Sequence, residues 1–390
     1  MTEQDVRAVR AEFPALDTFV WFQNGGVSIT PRPVADFHAD LMAELRDRGP
    51  VHIAYPEEEY PRRKKSIERI ARFFGAQPIQ VALMRGVSEA FQTVIRGIDW
   101  KPGDQILITA EEEAAIYLAS LHLRDRHNLE VVTVPIEGDR ARQLSAFEQA
   151  MTNRTRLVAF SHVTTDIGAR MPAREICEAA RSMGVLTFVD MAHSGGLFPI
   201  DLMGMGCDFA GILSYKWMYA PYASGLLFVR DPDAEQVAVT YAGGRSESRL
   251  DWHTHEFEFK PGAERYQFGP WSWPLVHAWS RSLDFLEEVG VDRIWSRTCA
   301  LTARLKDGIS KSDRLQLRTP ASDEESAALV SFGVDGTSPE ELRDRLRDRH
   351  NIVIKAVHAT REGMRASVPF FLLEEEIDFL LEKLEEELGG

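Results

Sequence analysis

The chain has 390 residues, 44% of them hydrophobic and 27% charged, with a formal net charge of −15. These values fit a globular protein with one large and one smaller domain. The acidic balance argues against non-specific nucleic-acid binding, which needs basic patches. No apolar run approaches the roughly 18 residues of a membrane span, and the charged start MTEQDVRAVRAEFPAL lacks the apolar stretch of a secretion signal. In chain order, residues 1–20 are expected to pack on the C-terminal domain, because terminal segments need tying down to stay ordered. From about Val20 to Gly269 short apolar runs alternate with helical segments. IARFFGAQPIQVALMRGVSEAFQTVIRGI reads as helix, strand, helix; DQILITA, EVVTVPI, RLVAFSHV, LTFVDMA, FAGILS and GLLFVRD read as strands. Such alternation predicts an α/β fold, a mostly parallel sheet covered on both faces, over residues 21–273. GLLFV follows its predecessor after a short turn and is expected to run antiparallel. Residues 274–390 change texture. One long helical stretch, LVHAWSRSLDFLEEVGVDRIWSRTCALTARLKDGI, precedes short strands and the helix LEEEIDFLLEKLEEEL, an α+β pattern. Cys177, Cys207 and Cys299 form no C-x-x-C pair, so no metal site or disulfide framework is expected, and a reducing cytoplasm fits best.

Two motifs carry chemistry. LTFVDMAHSGG ends a buried strand at Asp190, and GILSYKWMYAPYASGLLFV places Lys216 at the end of another. Ligands of open α/β sheets sit beyond the carboxyl ends of strands, so both side chains can reach one crevice. A lysine amine there can form an imine with an aldehyde cofactor, and pyridoxal 5'-phosphate needs a carboxylate on its ring nitrogen. The same residues also suit a helix cap at Asp190 and a surface lysine at 216. MRGVSEAFQTVI places Gly86, Val87 and Ser88 at a strand-to-helix turn whose free N–H groups can hold a phosphate; a plain Ser N-cap gives the same pattern.

The chain resembles the class V aminotransferases, fold-type I pyridoxal-phosphate enzymes that include cysteine desulfurases, isopenicillin N epimerases and carbon–sulfur lyases. FVDMAHSGG, SYKWMYAPYASGLLFV, FSHVTTDIGARMPAREICEAARSMGV and MRASVPFFLLEEEIDFLLEKL carry the resemblance. It implies a homodimer and a set of roles. Lys216 would carry the cofactor, Asp190 would face its ring nitrogen, and His193 would stand near its phenolic oxygen. Gly86, Val87, Ser88 and Tyr215 would serve the phosphate, and Thr165 stands where relatives have a cofactor-side Asn. Arg365 would grip the substrate α-carboxylate with its planar fork. Asn24 to Val27 would line the substrate entrance.

Three departures stand out. Where relatives place a ring over the cofactor, ILITAEEEAAIY offers Glu113, unless Tyr117 serves instead. A carboxyl desolvated there has its pKa raised, with Arg365 opposing, and would add a second proton-handling group; three solvated glutamates in a helical first turn are the alternative. YQFGPWSWP has Pro270 where relatives have Thr, with Trp271 and Trp273 as interface fillers or pocket walls. No cysteine falls in RTPASDEESAALV or IKAVHATREGMRAS, which disfavours sulfur transfer through an enzyme persulfide. The resemblance implies an amino-acid substrate and, by family breadth, transamination. A β-eliminating lyase and an epimerase are the alternatives, and a catalytically silent binding protein is the alternative of another class.

Overall fold

The computed structural model describes residues 1–357 and 362–389. Its strands are β1 (Val20–Trp21), β2 (Val81–Met84), β3 (Gln105–Thr109), β4 (Glu130–Val134), β5 (Thr155–Ser161), β6 (Leu186–Asp190), β7 (Phe209–Leu213) and β8 (Gly225–Val229). The later ones are β9 (Glu247–Leu250), β10 (Phe257–Phe259), β11 (Leu315–Leu317), β12 (Leu329–Val334), β13 (Ile352–Val353), β14 (Lys355–Val357) and β15 (Gly363–Ser367). Seven of them form one sheet in the order β2-β8-β7-β6-β5-β3-β4. Every residue of β2, β3, β7 and β8 is buried, as the unbroken apolar runs require of strands covered on both faces. Helices Val87–Gly97, Ala114–His127, Arg140–Ala150 and Ala173–Ser182 connect them.

β8 runs antiparallel to both β7 and β2, because the segment after Leu213 is too short for a parallel crossover. That segment carries Lys216. Gly225 is needed where β8 begins: a Cβ there would lie 2.3 Å from the Ile212 carbonyl oxygen and 2.9 Å from Gly86 Cα. The loop before the helix Val87–Gly97 is thereby drawn against the end of β7.

The later residues form a second sheet, β11-β12-β15-β14, antiparallel throughout. Two details differ from the sequence reading. The long helical stretch is two helices, Trp273–Val289 and Val291–Ser310, broken at Gly290, whose φ of 95° lies outside helical space. NIVIKAV is two strands with different partners: β13 pairs with β1 and β14 with β15. The hairpin β9-β10 was not foreseen, since its residues are mostly exposed and show no apolar alternation.

The N-terminal segment is tied to the C-terminal region. β1 pairs in parallel with β13, Arg10 grips Glu376 at 2.7 Å, and the Phe13 ring packs on Phe370 and Phe371. This brings residues 22–28 back over the carboxyl end of β7, where the Ser28 N–H donates to the Tyr215 carbonyl.

Candidate functional site

At the carboxyl ends of the sheet strands lies a cavity of about 800 Å³. Lys216, Asp190, Tyr215, Glu113 and the turn Gly86–Val87–Ser88 all reach its wall, so residues spread over 130 positions of sequence converge there. Asp190 and Lys216 are nearly fully buried. The Asp190 carboxylate accepts the Ala192 N–H at 2.7 Å. Burial pushes its carboxyl up to about 6, against the pull of that N–H and of Lys216. Burial also lowers the Lys216 ammonium to about 8, with the carboxylates of Glu113 and Asp190 opposing.

His193 Nε2 stands 3.4 Å from Lys216 Nζ. Burial first, then the neighbouring Lys216, Arg365 and Lys355, hold this imidazole well below its ordinary pKa, so it is neutral. Its Nδ1 is buried with no partner. Asn24, expected at the substrate entrance, is instead fully buried, and its amide donates to the Lys216 carbonyl at 3.1 Å. Gly25 and Gly26 are the residues of that loop that line the cavity. Tyr215 is stacked on Tyr222 with ring centroids 4.9 Å apart.

The turn before Val87–Gly97 ends at Gly86, φ 155°. The first intrahelical bond is from the Ala90 N–H to the Gly86 carbonyl, which leaves the Val87, Ser88 and Glu89 N–H groups without intrahelical acceptors. The Glu89 carboxylate is occupied by the Arg85 N–H and guanidinium, so it does not cancel the positive helix end.

The three glutamates after β3 have three different surroundings, and the helix itself begins only at Ala114. They are therefore not a solvated first turn. Glu111 is buried and accepts the Ile167 N–H. Glu112 is buried and held by the Thr109 hydroxyl, the Ser161 hydroxyl and the Ser161 N–H. Burial pushes it up to about 7 despite those bonds. Glu113 is the one that lines the cavity. Burial acts to raise its pKa, but Lys216, the Thr165 hydroxyl, Lys355 and Arg365 together outweigh burial and leave it lowered. The raised carboxyl expected from desolvation is thus replaced by an ionised carboxylate, because three cations surround it. Tyr117 is 40% exposed on the following helix and is absent from the cavity wall.

Thr165 links Glu113 to Arg365. Its hydroxyl donates to Glu113 at 2.8 Å, while its carbonyl and hydroxyl oxygens accept from Arg365 at 2.6 and 2.9 Å. Arg365 is 1% exposed, and its Nε has no partner. Directly across from it on the neighbouring strand is Lys355, which lines the cavity. Two cations opposed across a strand pair repel each other, and the carboxylates of Glu113 and Asp166 act against that repulsion. Sequence reading missed Lys355; only the β14–β15 register identifies it. It also missed Tyr241 and Phe268, stacked rings in the cavity wall contributed by loops without periodic pattern.

The cysteines stand apart from the site. Cys177 and Cys207 are buried, and burial raises the first to about 12 and the second well above its ordinary value; Cys299 is raised to about 11. None lines the cavity, and none is an activated thiolate. Part of the stretch read for a cysteine loop, residues 358–361, lies outside the described residues. Trp271 and Trp273 also stand away from the cavity: the Arg63 guanidinium lies 4.5 Å from the Trp273 ring centroid. Among the described residues no helix is long and apolar enough to cross a membrane.

The arrangement fits pyridoxal phosphate. A lysine amine and a carboxylate share one cavity and a turn of free N–H groups stands at its edge; behind the wall, His193 reaches Lys216 and Arg365 stands opposite Lys355, each with one unpartnered ring or guanidinium nitrogen.

The sequence model of the family Aminotransferase class-V matches residues 55–380. Among curated proteins, isopenicillin N epimerase of Streptomyces clavuligerus is 31% identical over 334 residues, 82% of each chain. A probable cysteine desulfurase of Methanothermobacter thermautotrophicus is 24% identical over 398 residues, 98% of each chain. Among solved structures, the apo cysteine desulfurase of Thermococcus onnurineus NA1 superposes with a TM-score of 0.89 at 23% identity, covering 98% of each chain. The cystine C–S lyase C-DES, in complex with cysteine persulfide, gives 0.88 at 23% identity, covering 95% of this chain and 98% of that one. Both structures share the fold-type I architecture.

Proposed function

We propose that this chain, which belongs to the class V aminotransferase family of pyridoxal-phosphate enzymes, moves the α-proton of an amino-acid substrate between two protein groups and so inverts the configuration at Cα. The observation that carries this reading is the pair Glu113 and Lys216 in one cavity, one a carboxylate and the other an amine that is mostly protonated at neutral pH. One base and one acid are the two groups that epimerisation requires.

Pyridoxal phosphate, when bound, supplies an aldehyde that captures the substrate amine and a ring that takes up the electron pair released at Cα. Lys216 and Asp190 would hold it, with the Val87, Ser88 and Glu89 N–H groups on its phosphate. Arg365 would bind the substrate α-carboxylate through its fork, with Thr165 fixing the guanidinium. Glu113 would accept the proton from Cα, and the Lys216 ammonium would deliver one. The neutral His193 would keep Lys216 Nζ oriented.

Transamination, expected from the breadth of the family, needs Lys216 alone for both proton movements and leaves Glu113 unused. A desulfurase route would need a thiolate in the cavity, and the three cysteines stand elsewhere. The test is incubation of the pyridoxal-phosphate-loaded protein with a panel of amino acids in deuterium oxide. Deuterium at Cα together with loss of optical purity supports the reading. Stoichiometric pyridoxamine phosphate, or release of ammonia, pyruvate or sulfide without inversion, overturns it in favour of transamination or β-elimination.

A further inference from the structure

A second polar cleft lies away from the cavity, at the start of the helix Ala173–Ser182. Ser161, at the end of β5, turns its side chain to Glu112. His162 follows it and therefore points to the other side of the sheet. There it forms part of the wall of a cavity of about 310 Å³, together with Arg140, Arg170 and Arg174.

Three features of the cleft suit an anion. Arg170 is partly buried, and among the described residues no carboxylate pairs with its guanidinium; it lies 4.6 Å from the Phe198 ring centroid and 6.0 Å from that of Trp295. Ring faces compensate a buried cation only partly. Burial and the nearby Arg140 both act against its charge. His162 is 6% exposed, and its Nδ1 has no partner. At the helix start, the Ala173 N–H bonds the Met171 carbonyl and the Ile176 N–H bonds the Pro172 carbonyl, so the Arg174 and Glu175 N–H groups have no intrahelical acceptor. Two carboxylates are also present. Glu175 lies 3.4 Å from Arg140, and Asp201 accepts the Gly204 N–H. Glu175 is paired with Arg140, while Asp201 keeps its charge close to the Arg174 guanidinium; the three arginines of the wall still outnumber its two carboxylates.

We propose that the cleft formed by Arg170, Arg174 and His162 at this helix start is a binding site for a phosphate-type oxyanion, distinct from the cavity that holds Lys216. The Arg170 and Arg174 guanidiniums would supply charge-assisted bonds and the helix N–H groups the cradle. The cleft is built at the contact with the C-terminal region: the Arg170 N–H donates to the Glu325 carbonyl, and Trp295 packs edge-on to Phe198. An occupant would therefore brace that contact.

The test is calorimetric titration of the cofactor-loaded protein with inorganic phosphate, and in parallel with glycerol 3-phosphate. Tighter binding of the organic ester would mark a phosphorylated metabolite as the occupant; equal binding would mark free phosphate. Arg170→Met and Arg174→Ala should each weaken phosphate binding about tenfold, the weight of roughly one charge-assisted bond. Arg365→Lys, in the main cavity, should leave it unchanged. Arg174 is exposed, so its variant decides the matter alone if Arg170→Met does not fold. Absence of binding at millimolar phosphate, wild-type affinity in Arg174→Ala, or loss of binding in Arg365→Lys would each overturn the proposal.

Discussion

Replacing Asp190 by Asn keeps the shape of the side chain and removes its charge, and the consequences have opposite signs with and without cofactor. In the cofactor-free protein, burial raises the carboxyl from 3.8 to about 6. A group whose folded pKa is raised contributes stability that is complete below the unfolded pKa and is lost as pH rises through the folded one. The shift is about two pH units, and at about 1.4 kcal/mol per unit the loss is roughly 3 kcal/mol between about pH 4 and pH 7. Asn carries no such loss. The cofactor-free Asp190→Asn protein should therefore gain up to roughly 3 kcal/mol on wild type at pH 7 and nothing near pH 4, less whatever the weakened bond to the Ala192 N–H costs. With pyridoxal phosphate bound, the same carboxylate would face a protonated ring nitrogen, and its charge becomes an asset. Asn should then weaken cofactor retention and lower turnover by orders of magnitude. Urea denaturation of the cofactor-free pair at the two pH values, with turnover of the loaded pair, measures both. A near-normal rate in Asp190→Asn, or a stability difference independent of pH, would refute the reasoning.

Glu113→Gln should lower turnover by about 10²- to 10³-fold, the usual weight of a general base, and should abolish the acid limb of the pH–rate profile, which in wild type falls below the ordinary carboxyl range. Unchanged kinetics across pH would return Glu113 to the role of a helix-start residue. Arg365→Lys keeps the charge but loses the fork; amino-acid affinity should fall with the cofactor still attached, as substrate titrations of the cofactor spectrum will show. Glu112→Gln should change turnover and melting temperature little, because burial already pushes this carboxyl up to about 7; a large loss would mean that its ionised form matters.

The apolar runs of the large sheet and the strand-end position of Asp190 were legible because period and burial are local properties of sequence; Lys216 lies three residues beyond the end of its strand, not at it. The antiparallel turn of β8 was legible from the short segment before it. Gly290 was passed over inside a helical pattern, since a single glycine does not declare its φ. Glu113 was found by its place after a strand, yet its ionisation was not, because that depends on Lys216, Lys355 and Arg365, up to 252 residues away in sequence. Asn24 was placed in the right loop but on the wrong side of it: its amide serves the Lys216 main chain, while the glycines beside it face the cavity. Lys355 was invisible because its significance lies in a cross-strand register.

The measurement that bears most directly on the account is borohydride reduction of the yellow, cofactor-loaded protein followed by peptide mapping. The account predicts the cofactor fixed on Lys216, and its loss from the Lys216→Ala variant. Label on another lysine, with Lys355 in the same cavity as the nearest alternative, or no label on protein supplied with pyridoxal phosphate, would contradict it.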